Sequence, residues 1–406
     1  MNIILLALPF FVGLILLEIV VDKLRGTGYF RVNDSVSSLN AGILSRVMVI
    51  FHRLIPIAVY VYVQQNYSLF IWEESWWMWI AAFILYDFCY YWYHRIAHER
   101  NLFWAAHVVH HSSEEYNLTT ALRQTSGSIF NWVFYLPMAF IGFEPMVFVT
   151  VLSLNLIYQF WVHTRLIGNL GWYESIFVTP SNHRVHHAIN DIYIDRNYGG
   201  VFILWDKWFG TFQAEKDDEP CVYGIRKPLK SWNPLWVNLH FYSQLFKDAW
   251  HTRKWADKLS IWLRPTGWRP ADVAEKFPLE TFSMAKYQKY DVPVAFWLNV
   301  YALLHLVLII ASLATYMAVS AELNILGILA FGVGIIYSCT SLGFLLENRA
   351  FATAMEQFRL IVIGTVIYAV PMHMAIKLSL LVIIIISLIM LQRKTSPVEM
   401  ENSVAN

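Results

Sequence analysis

The sequence predicts an all-α, multi-pass membrane protein with a histidine-rich di-metal site at the cytosolic ends of its helices and additional transmembrane helices in its C-terminal part. Three observations predict it. Of 406 residues, 57% are hydrophobic, where an ordinary soluble domain has about 45–50%, and the mean hydropathy is +0.44. Apolar runs long enough to enter or cross a bilayer recur along the chain, and many of its 18 Trp lie at their edges, as an interfacial belt requires. Eight of the 14 histidines fall in three short motifs, His94-Arg-Ile-Ala-His98, His107-Val-Val-His110-His111 and His183-Arg-Val-His186-His187, and His163 stands alone shortly before the last.

Composition also excludes. A net charge of +1 offers no basic surface, so no nucleic-acid partner is expected. Cys89, Cys221 and Cys339 form no CxxC pair and suggest neither a disulfide framework nor a thiolate metal site.

In chain order, Ile3 to Val21 is too long for the core of a signal peptide and has no basic stretch before it, so it reads as a retained span. Lys23, Arg25 and Arg31 follow, and basic residues beside a span favour the cytoplasmic side, which puts the N-terminus outside. Ile43 to Tyr62, interrupted by Arg46, His52 and Arg53, reads as a weaker span or a tilted interfacial helix. The loop Gln64 to Ser75 has two Glu and no Lys or Arg, which suits the outside. Trp76 to Tyr93 then runs inward and delivers His94 to the cytoplasmic surface, with Arg95, Glu99 and Arg100 at the exit. His98 to Gln124 reads as cytoplasmic helix and loop. Ile129 to Ile141 and Met146 to Val162, joined at Gly142-Phe-Glu-Pro145, form a hairpin that dips into or across the membrane and leaves His163 at its end.

Thr164 to about Asp291 is mixed and charged, and reads as the cytoplasmic body. Within it, Lys227 to Pro278 shows no clear periodicity and is expected to form loops and short helices against the membrane; Gly199 to Gly210 is expected to fold back beneath the metal site. Pro293 to Ser320 and Asn324 to Leu346 are spans. Arg359 to Gln392, broken by Pro371, His373 and Lys377, reads as two short spans that leave Arg393 and Lys394 cytoplasmic. The division that results is an N-terminal transmembrane region (1–75), a catalytic domain (76–290), C-terminal transmembrane helices (291–394) and a disordered tail (395–406). Basic loops, the acidic outer loop and span parity all place the histidine motifs on one side of the membrane.

A lone histidine on an apolar helix is ordinarily a hydrogen-bonded core residue, and His52, His240, His251, His305 and His373 are read so. Clustering changes the reading. Residues three and four apart share a helix face, so each motif presents its imidazoles as one claw. Packed imidazoles suppress one another's protonation unless they share a cation, and neutral imidazole is the commonest metal ligand. His94, His98, His107, His110, His111, His163, His183, His186 and His187 are too many for one tetrahedral or octahedral ion, so two are expected. Imidazole suits iron and zinc alike. A site at a membrane surface without a nucleophile pattern suits dioxygen chemistry on an apolar chain better than hydrolysis, which favours iron.

HxxxH, HxxHH and a later HxxHH at cytosolic helix ends resemble the fatty acid hydroxylase and sterol desaturase superfamily of membrane di-iron oxygenases. Within it, the strings Tyr93 to Glu99, His110 to Gln124, Gln159 to Thr164, Asn182 to His187, Asp195 to Gly200 and Trp205 to Phe212 look like the branch that cleaves the ether bond of alkylglycerols. That resemblance implies two Fe ions, O2, reduced tetrahydrobiopterin and a lipid substrate held in the bilayer. It implies oxidation of the alkyl carbon beside the ether oxygen, with release of a fatty aldehyde and a glycerol derivative. A separate pterin-recycling or electron-donor protein is a further expected partner, because no His-Pro-Gly-Gly haem-binding string marks a fused cytochrome b5 domain. The expected location is a bacterial cytoplasmic membrane or the endoplasmic reticulum, with the site facing the cytoplasm.

Two other readings stand beside this one. A sterol C-5 desaturase, or a fatty acid or carotenoid hydroxylase with a separate electron donor, would keep the same site. A divalent-metal transporter would place its ligands near the bilayer midplane instead of at span ends.

Supporting residues follow from the need to orient the imidazoles. A metal-bound histidine donates its other N–H to a carboxylate or carbonyl. Asp87, seven residues before His94 and so on its face, Glu99 and Asp191 are the acids expected to serve there and in catalysis, while Glu114, Glu115 and Asp195 also flank the motifs. Asn117, Arg123 and Gln124 are expected to recognise the pterin or a lipid head group.

Overall fold

The structure, a computed structural model, describes residues 3–52, 54–127, 130–370 and 372–392; the predicted disordered tail lies outside the described residues. Every named element is helical, with no β-strand among the described residues. The helices are α1 (Ile3–Arg25), α2 (Val32–His52), α3 (Leu54–Tyr67), α4 (Trp76–Glu99), α5 (Asn101–His111), α6 (Leu118–Ala121), α7 (Leu136–Ile141), α8 (Pro145–Trp161), α9 (Pro180–His187) and α10 (Leu204–Trp208). They continue with α11 (Pro234–His251), α12 (Trp255–Ser260), α13 (Ala271–Lys276), α14 (Phe296–Val319), α15 (Ile325–Leu346), α16 (Ala352–Ala369) and α17 (Met374–Met390).

Among the described residues, α14 and α15 are long and apolar enough to cross a membrane, and a third span results if α2 and α3, bent by 55°, count as one. The predicted inward span at Trp76 to Tyr93 is helical, as α4, but its many Trp and Tyr rings and Asp87 leave it less apolar than a span. The predicted hairpin consists of a 3₁₀ turn at Asn131–Tyr135, α7 and α8, which are apolar but shorter than a span. The stretch after Arg359 is two helices, as expected, the first beginning earlier, at Ala352.

The chain forms two compact units, one of residues up to 31, 48–229 and 238–289, the other of 32–47, 230–237 and 290 onward. In the first, α4 is central and packs against α5 and α8, while α3 packs on α7 and α1 on α8. Their core includes Tyr60, Met78, Ala82, Tyr86, Tyr135, Met138 and Val151. The hairpin turns at Gly142, with φ +102°, where an added Cβ would lie 2.0 Å from the Phe70 carbonyl oxygen, so only glycine fits.

In the second unit, α14, α15, α16 and α17 pack in succession. Glu356, buried on α16, accepts from Tyr301 and Ser341, each at 2.6 Å, and pairs with Arg359. Arg359 also donates to His305 Nδ1 at 2.8 Å, and His305 Nε2 lies 3.0 Å from Ser387 Oγ. His305 is thus a hydrogen-bonded core residue as read, but His251 and His373 are exposed.

One expectation fails in length. Lys227 to Pro278 contains an 18-residue helix, α11, where only loops and short helices were expected. Asn233 Oδ1 accepts from the Leu235 amide at 2.9 Å and Pro234 opens the helix, so a start signal stood in the sequence.

Candidate metal centre

Four chain segments deliver nine imidazoles to one place. His94 and His98 lie one turn apart at the end of α4; a sharp corner at Arg100 starts α5, which carries His107, His110 and His111. The corner is tied down by a later segment, because Asn101 Nδ2 donates to the Ile261 carbonyl at 2.9 Å and the Leu102 amide to the Trp262 carbonyl at 2.8 Å. α9 starts on a capping box formed by Thr179 and Asn182 with Pro180 at its first turn, and the short helix presents His183, His186 and His187. His163 follows the end of α8.

The nine divide into two groups. His94, His98, His107, His111 and His186 form one, and His110, His163, His183 and His187 the other, with the ligand atoms of each group all within 4.8 Å of one another. In the first, Nε2 atoms lie 2.9 Å apart between His94 and His107, and 3.1 Å from His111 to each of His98, His107 and His186. In the second, His163 Nε2 lies 3.2 Å from that of His110 and 3.0 Å from that of His183, which is 3.2 Å from that of His187. Each HxxHH motif therefore straddles both groups, and the expectation of one claw per motif is corrected. Residues i and i+4 fall about 40° apart around a helix and i+3 about 60° to the other side, so the i, i+4 pair shares a group and the middle histidine turns to its neighbour.

The outer nitrogens define the chemistry of the inner ones. Nδ1 of His94 donates to the Tyr198 carbonyl at 2.8 Å, of His110 to Arg123 at 3.0 Å, of His163 to Gln159 at 2.8 Å and of His186 to Arg196 at 3.0 Å. A carbonyl only accepts, so these four rings carry the proton on Nδ1 and turn a bare Nε2 lone pair inward. Burial first, then the neighbouring imidazoles, pushes His107, His111, His183, His186 and His187 well below the usual histidine range. Burial pushes His110 down to about 4. Converging lone pairs on neutral rings repel unless a cation lies between them, so the donor set fits metal. With metal–nitrogen bonds of about 2.1 Å, adjacent nitrogens are about 3.0 Å apart at an octahedral centre and about 3.4 Å at a tetrahedral one. A group of five nitrogens exceeds what a tetrahedral centre takes, while the group of four does not distinguish the two geometries.

Residues 79–211, which hold every one of these histidines, match the fatty acid hydroxylase family model. Alkylglycerol monooxygenase from Homo sapiens is 41% identical over 361 residues, covering 87% of this chain and 80% of that protein. The enzyme of the same name from Danio rerio is 38% identical, with 88% and 80% covered. The chain belongs to the alkylglycerol monooxygenase family. An ornithine lipid hydroxylase from Rhizobium tropici is a more distant relative, 27% identical over 39% of this chain and 50% of its own length. No solved structure matches the chain.

In this member of the alkylglycerol monooxygenase family the acids expected to serve the metal site occupy three different settings. Asp87 is fully buried and accepts from the amides of Val201 and Phe202, from Trp205 Nε1 and from Asn155 Nδ2, at 2.7 to 3.0 Å, and from no imidazole. It clamps the loop whose Tyr198 and Arg196 carbonyls receive His94 and His186. Gly200 makes the clamp possible, since a Cβ there would lie 2.8 Å from Asp87 Oδ1. Glu99 pairs with Arg95 at 2.8 Å on the outer side of α4. Asp191 is 87% exposed and pairs with Arg226, away from both groups.

Other flanking residues are engaged by the protein. Asn117 caps α6 and donates to the Tyr29 carbonyl at 2.9 Å. Arg123, fully buried, donates to the Val109 carbonyl and Ser112 Oγ, and Gln124 donates to the Ala121 carbonyl. Asp195 Oδ1 lies 3.6 Å from His98 Nδ1. Glu115 is held by Arg31, Arg165 and Lys289, and Glu114 lies 3.7 Å from Arg31.

Sequence reasoning missed Asp206. Its carboxylate accepts from the Tyr198 amide at 2.7 Å and the Gly199 amide at 2.8 Å, which fixes the far side of the same loop. The missing signal was physical: four of the nine imidazoles are oriented by backbone carbonyls, which every residue has.

Proposed function

We propose that the chain is a di-iron monooxygenase that oxidises the alkyl carbon beside the ether oxygen of alkylglycerol lipids, using O2 and reduced tetrahydrobiopterin. The observation that carries the proposal is the pairing of the two convergent nitrogen groups with relatives named alkylglycerol monooxygenase that cover most of the chain.

Two iron ions, held by His94, His98, His107, His111 and His186 and by His110, His163, His183 and His187, would supply the activation of O2 for insertion into a C–H bond. The protein's part is placement and exclusion. The carbonyls of Tyr198, Arg123, Gln159 and Arg196 hold four of the imidazoles in one tautomer, and Asp87 and Asp206 hold the Tyr198 loop. Burial of all nine rings keeps bulk water from them. The apolar α7–α8 hairpin would lodge the alkyl tail while the glycerol head stays at the membrane surface. One oxygen atom enters the substrate; the other leaves as water, reduced with the two electrons of the pterin. The hydroxylated carbon is a hemiacetal, which collapses to a fatty aldehyde and a glycerol derivative.

The positive-inside pattern of the loops supports a site facing the cytoplasm, in a bacterial cytoplasmic membrane or the endoplasmic reticulum. A separate protein would regenerate the reduced pterin. The test is product analysis on membranes containing the protein, given an alkylglycerol with and without reduced pterin. Fatty aldehyde that forms only with pterin supports the reading. Turnover only with a ferredoxin or cytochrome donor, or on a sterol or free fatty acid instead, would sink it.

A further inference from the structure

α11 and α12 belong neither to the metal centre nor to any span, yet they are closely coupled to the first. One side of α11 is packed: Phe241, Tyr242, Leu245 and Ala249 lie with Ala105, Ile261 and Trp262 in a core of their own. The segment just after α12 grips the α4–α5 corner, through Asn101 and Leu102 as described, through the Thr266 amide to the Glu99 carbonyl at 3.1 Å, and through Thr266 Oγ1 to the His98 carbonyl. Ala105 stands on the same helix as His107.

Beside that packed face runs an exposed apolar strip, touched from within the core only where the Phe246 ring meets Trp262, with centroids 4.8 Å apart. Leu239, Phe246 and Trp250 fall within about 40° of arc on α11, and Trp255, Leu259 and Leu263 follow on α12 and just after it; all six are more than half exposed, Trp250 at 82%. A patch of this size left in water is unfavourable and marks a contact surface. Its charge says what kind. Between 247 and 264 the chain carries Lys247, Arg253, Lys254, Lys258 and Arg264 against Asp248 and Asp257, and Asp248 is buried in a pair with Arg269. Exposed Trp, Phe and Leu flanked by Lys and Arg are the composition of a helix lying in a lipid head-group layer, where the rings sit at the acyl boundary and the cations meet lipid phosphates.

We infer that the α11–α12 segment is an interfacial anchor that docks on the surface of an anionic lipid leaflet and, through its grip on the α4–α5 corner, sets the depth of the histidine groups beside that leaflet. The inference rests on this surface and does not depend on which lipid is oxidised.

The experiment places a nitroxide label at Trp250→Cys, and separately at Leu263→Cys, in the full-length protein with Cys221→Ser; the remaining Cys89 and Cys339 are buried. A label at exposed Asp218→Cys is the aqueous control. The protein is reconstituted in vesicles of phosphatidylcholine with or without phosphatidylglycerol, and collisions of the label with oxygen and with a water-soluble nickel complex are compared. Labels at 250 and 263 are expected to favour oxygen over nickel several-fold relative to the control, more so with phosphatidylglycerol, and Gln at Arg253, Lys254 and Arg264 together should remove that lipid dependence. Nickel access equal to the control's would overturn the anchor. Immersion that ignores phosphatidylglycerol would overturn its anionic partner. Spin–spin broadening between labels, independent of lipid, would assign the surface to a second copy of the chain and overturn the inference.

Discussion

The Nδ1–H of His94 donates to the carbonyl of Tyr198 at 2.8 Å, and that carbonyl is itself held from both sides by acids that touch no imidazole. Asp206 accepts from the Tyr198 and Gly199 amides, and Asp87 accepts from those of Val201 and Phe202 and from Trp205. The orientation of a candidate ligand is therefore set two steps away, by carboxylates clamping a loop.

Asp87→Asn exchanges one acceptor oxygen for an amino group facing backbone donors and should loosen that loop. Disturbing the groups that orient a metal ligand typically costs about 10–100-fold in metal affinity or activity. Iron content measured on purified protein should fall together with turnover. Unchanged iron at unchanged activity would refute the clamp.

His110→Ala and His186→Ala should each abolish aldehyde formation while leaving the protein in the membrane, since insertion depends on the apolar helices. They should differ in metal loss. His110→Ala takes one of four nitrogens from its group and His186→Ala one of five, so the first should lose about half the metal and the second less. Metal analysis of membranes and detergent extracts distinguishes them; full activity in either variant counts against the site.

Acid should destabilise the metal-free protein. Burial holds His110 at about 4, below its ordinary 6.5, so the unfolded chain takes up a proton that the folded one refuses. Stability from this group is complete above pH 6.5 and falls as pH drops from 6.5 towards 4, by ~3 kcal/mol at most. The other buried imidazoles add in the same direction. Thermal unfolding of chelator-stripped protein in detergent should show a falling midpoint over this range, and iron should suppress the fall. A midpoint that does not move with pH contradicts this account of burial.

His305→Ala should destabilise the C-terminal helices. Its removal takes partners from Arg359 and from Ser387, both buried, at a cost of about 1–3 kcal/mol. His373→Ala, at an exposed helix start, should be neutral. Equal unfolding temperatures for the two variants would show that the network contributes nothing.

Much of this protein was legible in its sequence because the signals were local. Apolar length marks α14 and α15, and Gly142 with Pro145 marks the hairpin joint. α11 was missed although Asn233 and Pro234 announce it. Asn117 and Arg123, expected to recognise the pterin or a lipid head group, have a structural task that residue type does not reveal: Asn117 caps a helix and Arg123 ties Val109 and Ser112 together.

By itself the sequence determined the ligand type, the nine histidines and their placement at helix ends, since spacing along a helix is a local property. Helix spacing already sets the middle histidine of each HxxHH motif apart; only the tertiary structure decided which rings from different segments share a group. The meeting of α4, α5, α9 and the end of α8 separates His110 from His107 and His111, and His186 from His183 and His187, into groups of five and four. It also decided which carbonyls and carboxylates hold them, because a backbone oxygen becomes a selective partner only where the fold brings it to a ring.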